Sequence, residues 1–143
     1  MLRHGDAEDG AGKPDADRDL TEKGERQARA AGRALKALGA GLDVCLTSPK
    51  IRAKRTAELA CASLDCPVEE DPRLAGGDFD PLELAAGRGE VMLVGHEPDF
   101  SSAVALVTGS TVKMKKGGIA ALDDHLLHAL LRPKDLKAIA GDD

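Results

Sequence analysis

The 143-residue sequence is almost free of aromatic side chains: it has no Trp, no Tyr and only two Phe, Phe79 and Phe100. Without aromatic platforms, stacking against a nucleotide base or a sugar ring is not expected. The core must therefore be built from aliphatic residues, chiefly Leu, Val, Ala and Ile.

Long apolar runs are also missing, since no stretch approaches the roughly 20 residues needed to cross a bilayer. The first residues are charged rather than a basic stretch followed by an apolar one, so no secretory signal is predicted. We expect neither a membrane partner nor export, and hence a cytoplasmic protein.

Cysteine is scarce and odd in number, with Cys45, Cys61 and Cys66 lacking the paired spacing of a zinc site. Such thiols fit a reducing compartment and a packing role. No cluster of residues has metal-ligand spacing, so neither a metal nor another cofactor is expected.

The charge balance excludes a basic arm. Twenty-five acidic residues outnumber twenty basic ones, giving a formal net charge of −5, and the Lys and Arg residues are not gathered into one segment. This argues against nucleic acid as a partner. A local cluster of arginines in a cleft still attracts an anion, because the nearby charges govern the field there.

Hydrophobic periodicity predicts one domain over residues 1–143 in which strands and helices alternate. A helix should start after Thr21, its cap, and end at Gly39. Gly24 lies in the first turn of this helix, where glycine costs about 1 kcal/mol of stability relative to alanine, so another part of the chain is expected to pack closely against it. Its predicted inner face comprises Gln27, Ala30, Ala31, Ala34, Leu35 and Leu38.

The rest of the chain continues this alternation. Strands are predicted at 43–47, near 68, at 91–94, at 119–122 and at 126–131. A helix should open with Ser48 as cap and Pro49 as first residue, and bury Ala53, Ala57, Ala60, Cys61 and Leu64. A weak helix is predicted at 81–86, a helix ending at Gly109 should bury Phe100, Ala103, Val104 and Val107, and a short helix should follow Pro133.

Such an alternation predicts an α/β fold: a three-layer α/β/α sandwich with a mostly parallel central sheet. Only Met1 and Leu2 precede Arg3, so the first strand is expected to be shortened at its N-terminus. The segment 6–19 is rich in Asp, Gly, Ala and Pro and is interpreted as a mobile surface loop, which would keep Asp6, Glu8 and Asp9 away from an anion.

Polar residues follow three of the predicted strands: Arg3-His4-Gly5, Ser48-Pro49 and Gly95-His96. Because ligands of such sheets bind outside the carboxyl ends of the strands, these residues should meet at one edge. Arg52, one turn into the next helix, should point back to the same place.

Two arginines and two histidines in one cleft are suited to a tetrahedral dianion, because guanidinium groups bind phosphate oxygens with charge-assisted bonds. His4 is the candidate nucleophile: a backbone carbonyl that accepts a proton from one ring nitrogen would present the other nitrogen as a lone pair. The cations would then stabilise charge on the phosphoryl oxygens.

Four sequence blocks resemble the motifs of the histidine phosphatase superfamily, also called phosphoglycerate-mutase-like. The blocks occupy residues 3–5, 18–24, 48–56 and 94–98. The resemblance implies that His4 becomes phosphorylated, that Arg3, Arg52 and His96 form the phosphate pocket, and that Arg18 is an accessory anion contact. Gly5, Ser48 and Gly95 are the further candidate substrate-binding residues.

One departure from the family is informative. Larger members carry a Glu or Asp as proton donor, whereas the corresponding stretch here, residues 73–78, has no Glu and offers only Asp78. A phosphorylated histidine leaves as an imidazole, which needs less help from an acid than an alkoxide does. Short length, the opening Arg3-His4-Gly5-Asp6-Ala7 and the missing acid together make the chain similar to the SixA-type phosphohistidine phosphatases.

The sequence therefore predicts a metal-independent phosphatase that acts through phosphorylated His4 on phosphohistidine of a signalling protein and releases inorganic phosphate. The alternatives are a phosphomonoesterase for a small sugar or nucleotide phosphate, and a non-catalytic phosphate-binding module. His125 and His128 receive no role, and Lys50, Lys54 and Arg55 are interpreted as a solvated helix face.

Overall fold

A computed structural model describes residues 1–142 and contains a six-stranded sheet in the order β3-β2-β4-β1-β5-β6. The strands are β1 (Leu2–Arg3), β2 (Val44–Thr47), β3 (Val68–Glu70), β4 (Val91–Gly95), β5 (Ile119–Asp123) and β6 (Leu126–Leu131). Strands β1 to β4 run parallel, β5 is antiparallel to β1, and β6 is antiparallel to β5. The prediction of a mostly parallel sheet is confirmed.

Helices cover both faces of this sheet. The helices are α1 (Glu22–Ala37), α2 (Ile51–Cys61), α3 (Pro81–Ala85), α4 (Asp99–Thr108) and α5 (Pro133–Ile139). Core residues of α1, α2 and α5 pack on one face of the sheet, and those of α3 and α4 pack on the other. The three-layer α/β/α arrangement is therefore as predicted.

Close backbone packing takes the place of large aromatic side chains in the layer formed by α1 and α2. A Cβ added to Gly32 of α1 would lie 2.2 Å from the carbonyl oxygen of Ala60 in α2. The two helices approach this closely because alanines and glycine line their contact. Cys45, Cys61 and Cys66 are buried free thiols in the same core cluster.

Helix α1 starts as its sequence indicates. The Thr21 hydroxyl accepts a hydrogen bond from Gly24 N at 3.1 Å, which is a standard N-cap. Ala30, Ala31 and Ala34 are buried. The prediction that Leu38 belongs to the buried inner face is wrong. Its side chain is 57% exposed because the helix ends at Ala37 and the chain turns away.

Helix α2 begins at Ile51, with Lys50 as N-cap, so the prediction that Ser48 caps it and Pro49 opens it is wrong. Ser48 Oγ accepts from Lys50 N at 3.2 Å, in the turn that precedes the helix, and also lies 2.8 Å from His96 Nε2. The side chain thus combines a local bond with a long-range one.

The segment between β1 and α1 was interpreted as mobile, but the structure ties it down. Ala7 and Leu20 form an antiparallel bridge, and Glu8 N donates to Asp19 O at 2.9 Å. A 3₁₀ turn at Asp15–Asp17 shapes the tip of the segment. Strand β1 itself has two residues, as its short sequence suggested. Across residues 1–142, no helix combines the length and apolarity that a membrane span requires.

Candidate active site

The three polar sequences do meet at the carboxyl edge of the sheet. His4 N donates to Gly95 O at 3.0 Å, and Ser48 N donates to Val94 O at 3.0 Å, so the ends of β1, β2 and β4 are joined. The imidazole rings of His4 and His96 lie 5.2 Å apart between their centroids. Both rings are almost fully buried.

The hydrogen bond at Nδ1 of His4 leaves Nε2 as the acceptor nitrogen. His4 Nδ1 lies 2.7 Å from the carbonyl oxygen of Gly5, and a carbonyl only accepts, so Nδ1 carries the proton. Burial, together with the charges of the nearby Arg52 and Arg3, lowers the pKa of His4 to about 4, although the hydrogen bond to Gly5 O opposes this shift. The ring is therefore neutral at pH 7, with a free lone pair on Nε2.

The backbone next to His4 is fixed from two sides. Gly5 N donates to Thr56 Oγ1 at 3.1 Å, and Thr56 Oγ1 donates to Arg52 O at 2.7 Å. A Cβ on Gly5 would lie 2.6 Å from Gly24 O, so only glycine fits against the first turn of α1. Thr56 thus links the loop that carries His4 to the helix that carries Arg52.

Arg3 is held by the backbone beyond the pocket. Its NH1 donates to Met114 O at 2.9 Å, and its Nε is buried without a partner among residues 1–142. Burial lowers the pKa of Arg3, although the nearby Glu97 carboxylate partly offsets this. An arginine remains charged under all physiological conditions, so Arg3 supplies a fixed positive charge.

Arg52 is buried and is bound to the exposed carboxylate of Asp15. Its NH1 donates to the Asp15 carbonyl at 2.8 Å, and its NH2 lies 3.2 Å from Asp15 Oδ2. Lys50 and Arg18 bind the same carboxylate at 3.3 and 3.2 Å. Hydrogen bonds from Arg18 and then Arg52 lower the pKa of Asp15 to about 2. An anion therefore already lies where three cations converge.

One ring nitrogen of His96, Nδ1, forms no hydrogen bond within residues 1–142. Ser48 Oγ accepts from Lys50 N at 3.2 Å, and its own hydrogen has no acceptor within residues 1–142 other than His96 Nε2. If Nε2 accepts, the proton of the neutral ring resides on Nδ1, which is buried without a partner. Burial, then His4 and Arg52, lower the pKa of His96 to about 3.

Not every predicted site residue belongs to this cluster. Arg18 donates from Nε to Glu8 O at 2.8 Å and binds Asp15, so it contacts the pocket only through that carboxylate. Asp78 is exposed and forms no hydrogen bond or ion pair within the described part of the chain. Gly95 lies at the end of β4, where a Cβ would be 2.7 Å from the Phe100 ring.

The structure corrects the prediction for one lysine and adds three residues to the site. Lys50 was interpreted as part of a solvated face, yet it is half-buried and pairs with Asp15, whereas Lys54 and Arg55 pair at the surface with Glu70 and Glu25. Asp15, Thr56 and Lys116 were not assigned. The signal for Thr56 was a polar residue on the inner face of α2, and nothing in the sequence singles out Asp15.

Acidic residues flanking the nucleophile are held elsewhere. Asp6 accepts from the Thr21 hydroxyl at 2.8 Å and lies 3.4 Å from Lys116 Nζ. Asp9 is exposed. Among residues 1–142, no three His, Cys, Asp or Glu side chains are arranged to hold a metal ion.

Comparison with known proteins places this geometry in context. The model of the histidine phosphatase superfamily (branch 1) matches residues 1–98. An uncharacterised protein of Picosynechococcus sp. (strain PCC 7002) is 38% identical over 135 residues, which cover 85% of this chain and 82% of that protein. The fold is also similar to that of the protein histidine phosphatase SixA, solved as a tungstate complex: the TM-score is 0.82 at 28% identity, covering 95% of this chain and 97% of SixA.

Similarity to larger enzymes covers a shorter segment. A 2,3-bisphosphoglycerate-dependent phosphoglycerate mutase of Methylobacterium sp. (strain 4-46) is 48% identical over 69 residues, which are 46% of this chain. The aligned region makes up 33% of that mutase, so the chain matches about a third of its length.

Proposed function

Because the chain belongs to the histidine phosphatase superfamily, we propose that it is a phosphatase whose nucleophile is Nε2 of His4. Residues 1–143 would act as one catalytic domain. Arg3, Arg52 and His96 bind the transferred phosphoryl group, and Gly5, Ser48 and Gly95 shape its pocket. Phosphohistidine on a protein is the proposed substrate, and inorganic phosphate is the product.

The observation that carries the proposal is a pair of buried nitrogens without partners beside a neutral imidazole. Arg3 Nε is a donor, and His96 Nδ1 is a donor in the tautomer whose Nε2 accepts from Ser48 Oγ. Arg3 Nε and His96 Nδ1 are both buried and unbonded within residues 1–142. A buried polar group without a partner costs about 1–3 kcal/mol, so such donors indicate a place for an acceptor. A phosphoryl oxygen is an acceptor that would use both donors and the guanidinium groups.

In the first step, the lone pair of His4 Nε2 attacks phosphorus and the bond from phosphorus to the leaving nitrogen breaks. The electron pair of that bond goes to the leaving imidazole. Arg3 and Arg52 balance the charge of the equatorial oxygens during transfer. The hydrogen bond from Nδ1 to Gly5 O holds the ring in the tautomer that this attack requires.

In the second step, water attacks phosphorus on the phosphorylated His4, and the bond from Nε2 to phosphorus breaks. The products are inorganic phosphate and neutral His4. The low pKa of His4, about 4, keeps the leaving nitrogen unprotonated in the free enzyme, so the cycle closes on the form that can attack again.

The missing proton donor favours a nitrogen-bound phosphate over an ester. Asp15 has a pKa of about 2 and remains ionised, and the Glu97 carboxylate accepts hydrogen bonds from Ser101. Asp78 is exposed and forms no hydrogen bond or ion pair within residues 1–142. Because an alkoxide needs a proton as it leaves and an imidazole needs less help, phosphohistidine suits these residues better. The similarity to SixA, a protein histidine phosphatase, supports the same choice.

A second candidate is a phosphomonoesterase for a small phosphate ester. It is favoured by the 48% identity with a phosphoglycerate mutase over the 69 aligned residues. The values of kcat/KM for a phosphohistidine protein and for a panel of sugar and nucleotide phosphates discriminate between the two. A large preference for the esters would reject the phosphohistidine proposal.

The direct test is to trap the phosphoenzyme. Labelled phosphoramidate should transfer its phosphoryl group to the protein, giving an adduct that is labile in acid and stable in alkali. His4→Ala should abolish this label, whereas His128→Ala, which changes an exposed histidine on β6, should not. Label that persists in His4→Ala would exclude His4 as the nucleophile.

Two further outcomes separate the remaining alternatives. Tight phosphate binding without labelling or turnover would identify a non-catalytic binding module. Activity is expected to survive EDTA; an inactivation that added Mg²⁺ or Zn²⁺ reverses would contradict the mechanism.

A further inference from the structure

A groove of about 570 Å³ lies between α1 and α5, outside the pocket of His4. Its lining is strongly basic and comprises Lys23, Arg26, Arg33, Lys134 and Lys137, with Gln27, Ala30, Pro133 and Asp142 completing it. Five cations thus face one carboxylate, in a protein whose formal net charge is −5. We refer to this region as the basic groove.

The cations of the basic groove are available to a ligand. All five are exposed. Within residues 1–142, Arg33 pairs with Asp142, while Lys23, Arg26, Lys134 and Lys137 form no ion pair. Like charges brought together without counter-charges repel one another, so this arrangement lowers stability unless an anion joins it. The contact of Asp142 with Arg33 indicates that the groove accepts a carboxylate.

The basic groove begins next to the nucleophile loop. Gln27, which lines it, accepts a hydrogen bond from Asp6 N at 2.8 Å, two residues beyond His4. A Cβ on Gly117 would lie 2.9 Å from Gln27 Cβ, and Gly117 N donates to His4 O at 3.0 Å. Lys116, which precedes Gly117 in the chain, pairs with Asp6, and its charge helps to lower the pKa of His4.

The dimensions suit an extended peptide. Lys23 and Arg33 are ten positions apart on α1, and a helix rises 1.5 Å per residue, so they are about 15 Å apart along the axis. An extended chain covers that length with four or five residues. A small phosphate bound at His4 does not reach so far, whereas residues flanking a phosphorylated side chain do.

We propose that the basic groove docks an acidic, extended segment of a phosphorylated protein substrate while its phosphoryl group occupies the pocket of His4. The proposal rests on the proposed function and adds a preference for carboxylates near the phosphorylated residue. A nucleic acid is a poorer occupant, because the groove has no aromatic side chain on which bases could stack.

The experiment compares two phosphohistidine peptides that are identical except that one carries four Glu and the other four Gln, within ten residues of the phosphohistidine. The readout is the ratio of their kcat/KM values, in which a general loss of activity cancels. Wild type should prefer the Glu peptide about five- to tenfold at low salt, and the preference should fall as KCl is raised.

The test variant is Lys134→Glu/Lys137→Glu, for which the ratio should fall to about one. The matched control, Lys36→Glu/Arg88→Glu, makes the same change in net charge at exposed residues outside the groove. It should keep most of the wild-type ratio, because distant surface charges are screened. An equal ratio for both peptides in wild type, or an equal loss in the control, would overturn the proposal.

Binding separates this inference from the proposed function. The same two peptides, carrying a non-hydrolysable phosphonate analogue of phosphohistidine and a fluorescent label, report affinity by anisotropy without turnover. If neither peptide were hydrolysed but the Glu form bound more tightly, the phosphatase assignment would fail and the docking site would stand. Hydrolysis without any Glu preference in rate or affinity would support the phosphatase assignment and reject the docking site.

Discussion

The phosphate pocket and the basic groove are both cationic, but they hold their charges in different ways. In the pocket, Arg3 and Arg52 are tied to backbone carbonyls, and Arg52 is almost fully buried. In the groove, lysines and arginines are exposed, and most have no partner within residues 1–142. The difference predicts different tasks for the two regions.

Charges that are fixed in a dry site stabilise a transition state without reorganising, and removing one such contact costs orders of magnitude in rate. Exposed charges are screened within about 10 Å at ordinary salt, and each contributes less than about 1 kcal/mol. The pocket should therefore determine chemistry, and the groove should determine which partner approaches.

Arg52→Ala should give the largest effect. Losing a buried guanidinium that is proposed to bind the transferred phosphoryl group should lower kcat/KM for phosphoramidate about a thousandfold. Arg26→Ala, which removes the same group from the basic groove, should change this value less than about threefold. Similar losses of kcat/KM in both variants would contradict the assignment of chemistry to the pocket and of partner selection to the groove.

Acid should lower the free energy of unfolding by several kcal/mol, because two buried histidines in the pocket must become protonated. The pKa values of His4 and His96 are about 4 and 3 in the folded protein, against 6.5 when unfolded. Between pH 6 and 4 the unfolded chain binds more protons at these residues, so stability is present at higher pH and is lost as the pH falls. For His4 alone, the loss between pH 6 and 4 is about 2 kcal/mol.

Urea unfolding at several pH values measures this dependence. His4→Asn/His96→Asn should flatten the slope between pH 6 and 4, whereas replacing the exposed His125 and His128 should leave it unchanged. A wild-type stability that stayed constant over this interval would contradict the burial of neutral imidazoles.

Asp15→Asn should produce the smallest of these effects. The Asp15 carboxylate binds Arg52, Lys50 and Arg18, so it competes with phosphate for the same cations. Removing its charge should tighten the binding of inorganic phosphate about three- to tenfold, as measured by calorimetry.

Asp17→Asn, on the same 3₁₀ turn but without a side-chain partner within residues 1–142, is the control and should leave the affinity unchanged. Weaker phosphate binding by Asp15→Asn would mean that Asp15 positions Arg52 rather than competing for it.

The core of the site could be predicted because simple rules place it. Parallel strands end at one edge, so Arg3, His4 and His96 had to meet there. Arg52 followed from its place in the first turn of α2, next to the end of β2. The role of Ser48 was misjudged because its local sequence indicates a helix cap, and only the tertiary structure brings it to His96.

Other features depend on contacts between distant segments. Asp15 was overlooked because a carboxylate is expected to avoid an anion site, yet the folded loop places it against Arg52. The basic groove arises only when α5 packs beside α1, and neither helix alone shows it. Leu38 was assigned to the core because periodicity does not show where the helix stops.

The packing of Gly24 has a mechanical consequence. A Cβ at this position would lie 2.0 Å from Asp6 O, so the backbone of α1 rests directly on the backbone of the loop that carries His4. Side chains in contact can change rotamer when one of them is displaced, but two backbones in contact cannot. Any shift of α1 must move the attacking ring, and a misplacement of about 1 Å costs about a hundredfold in rate. A ligand that presses on this helix would change the turnover number as well as the affinity.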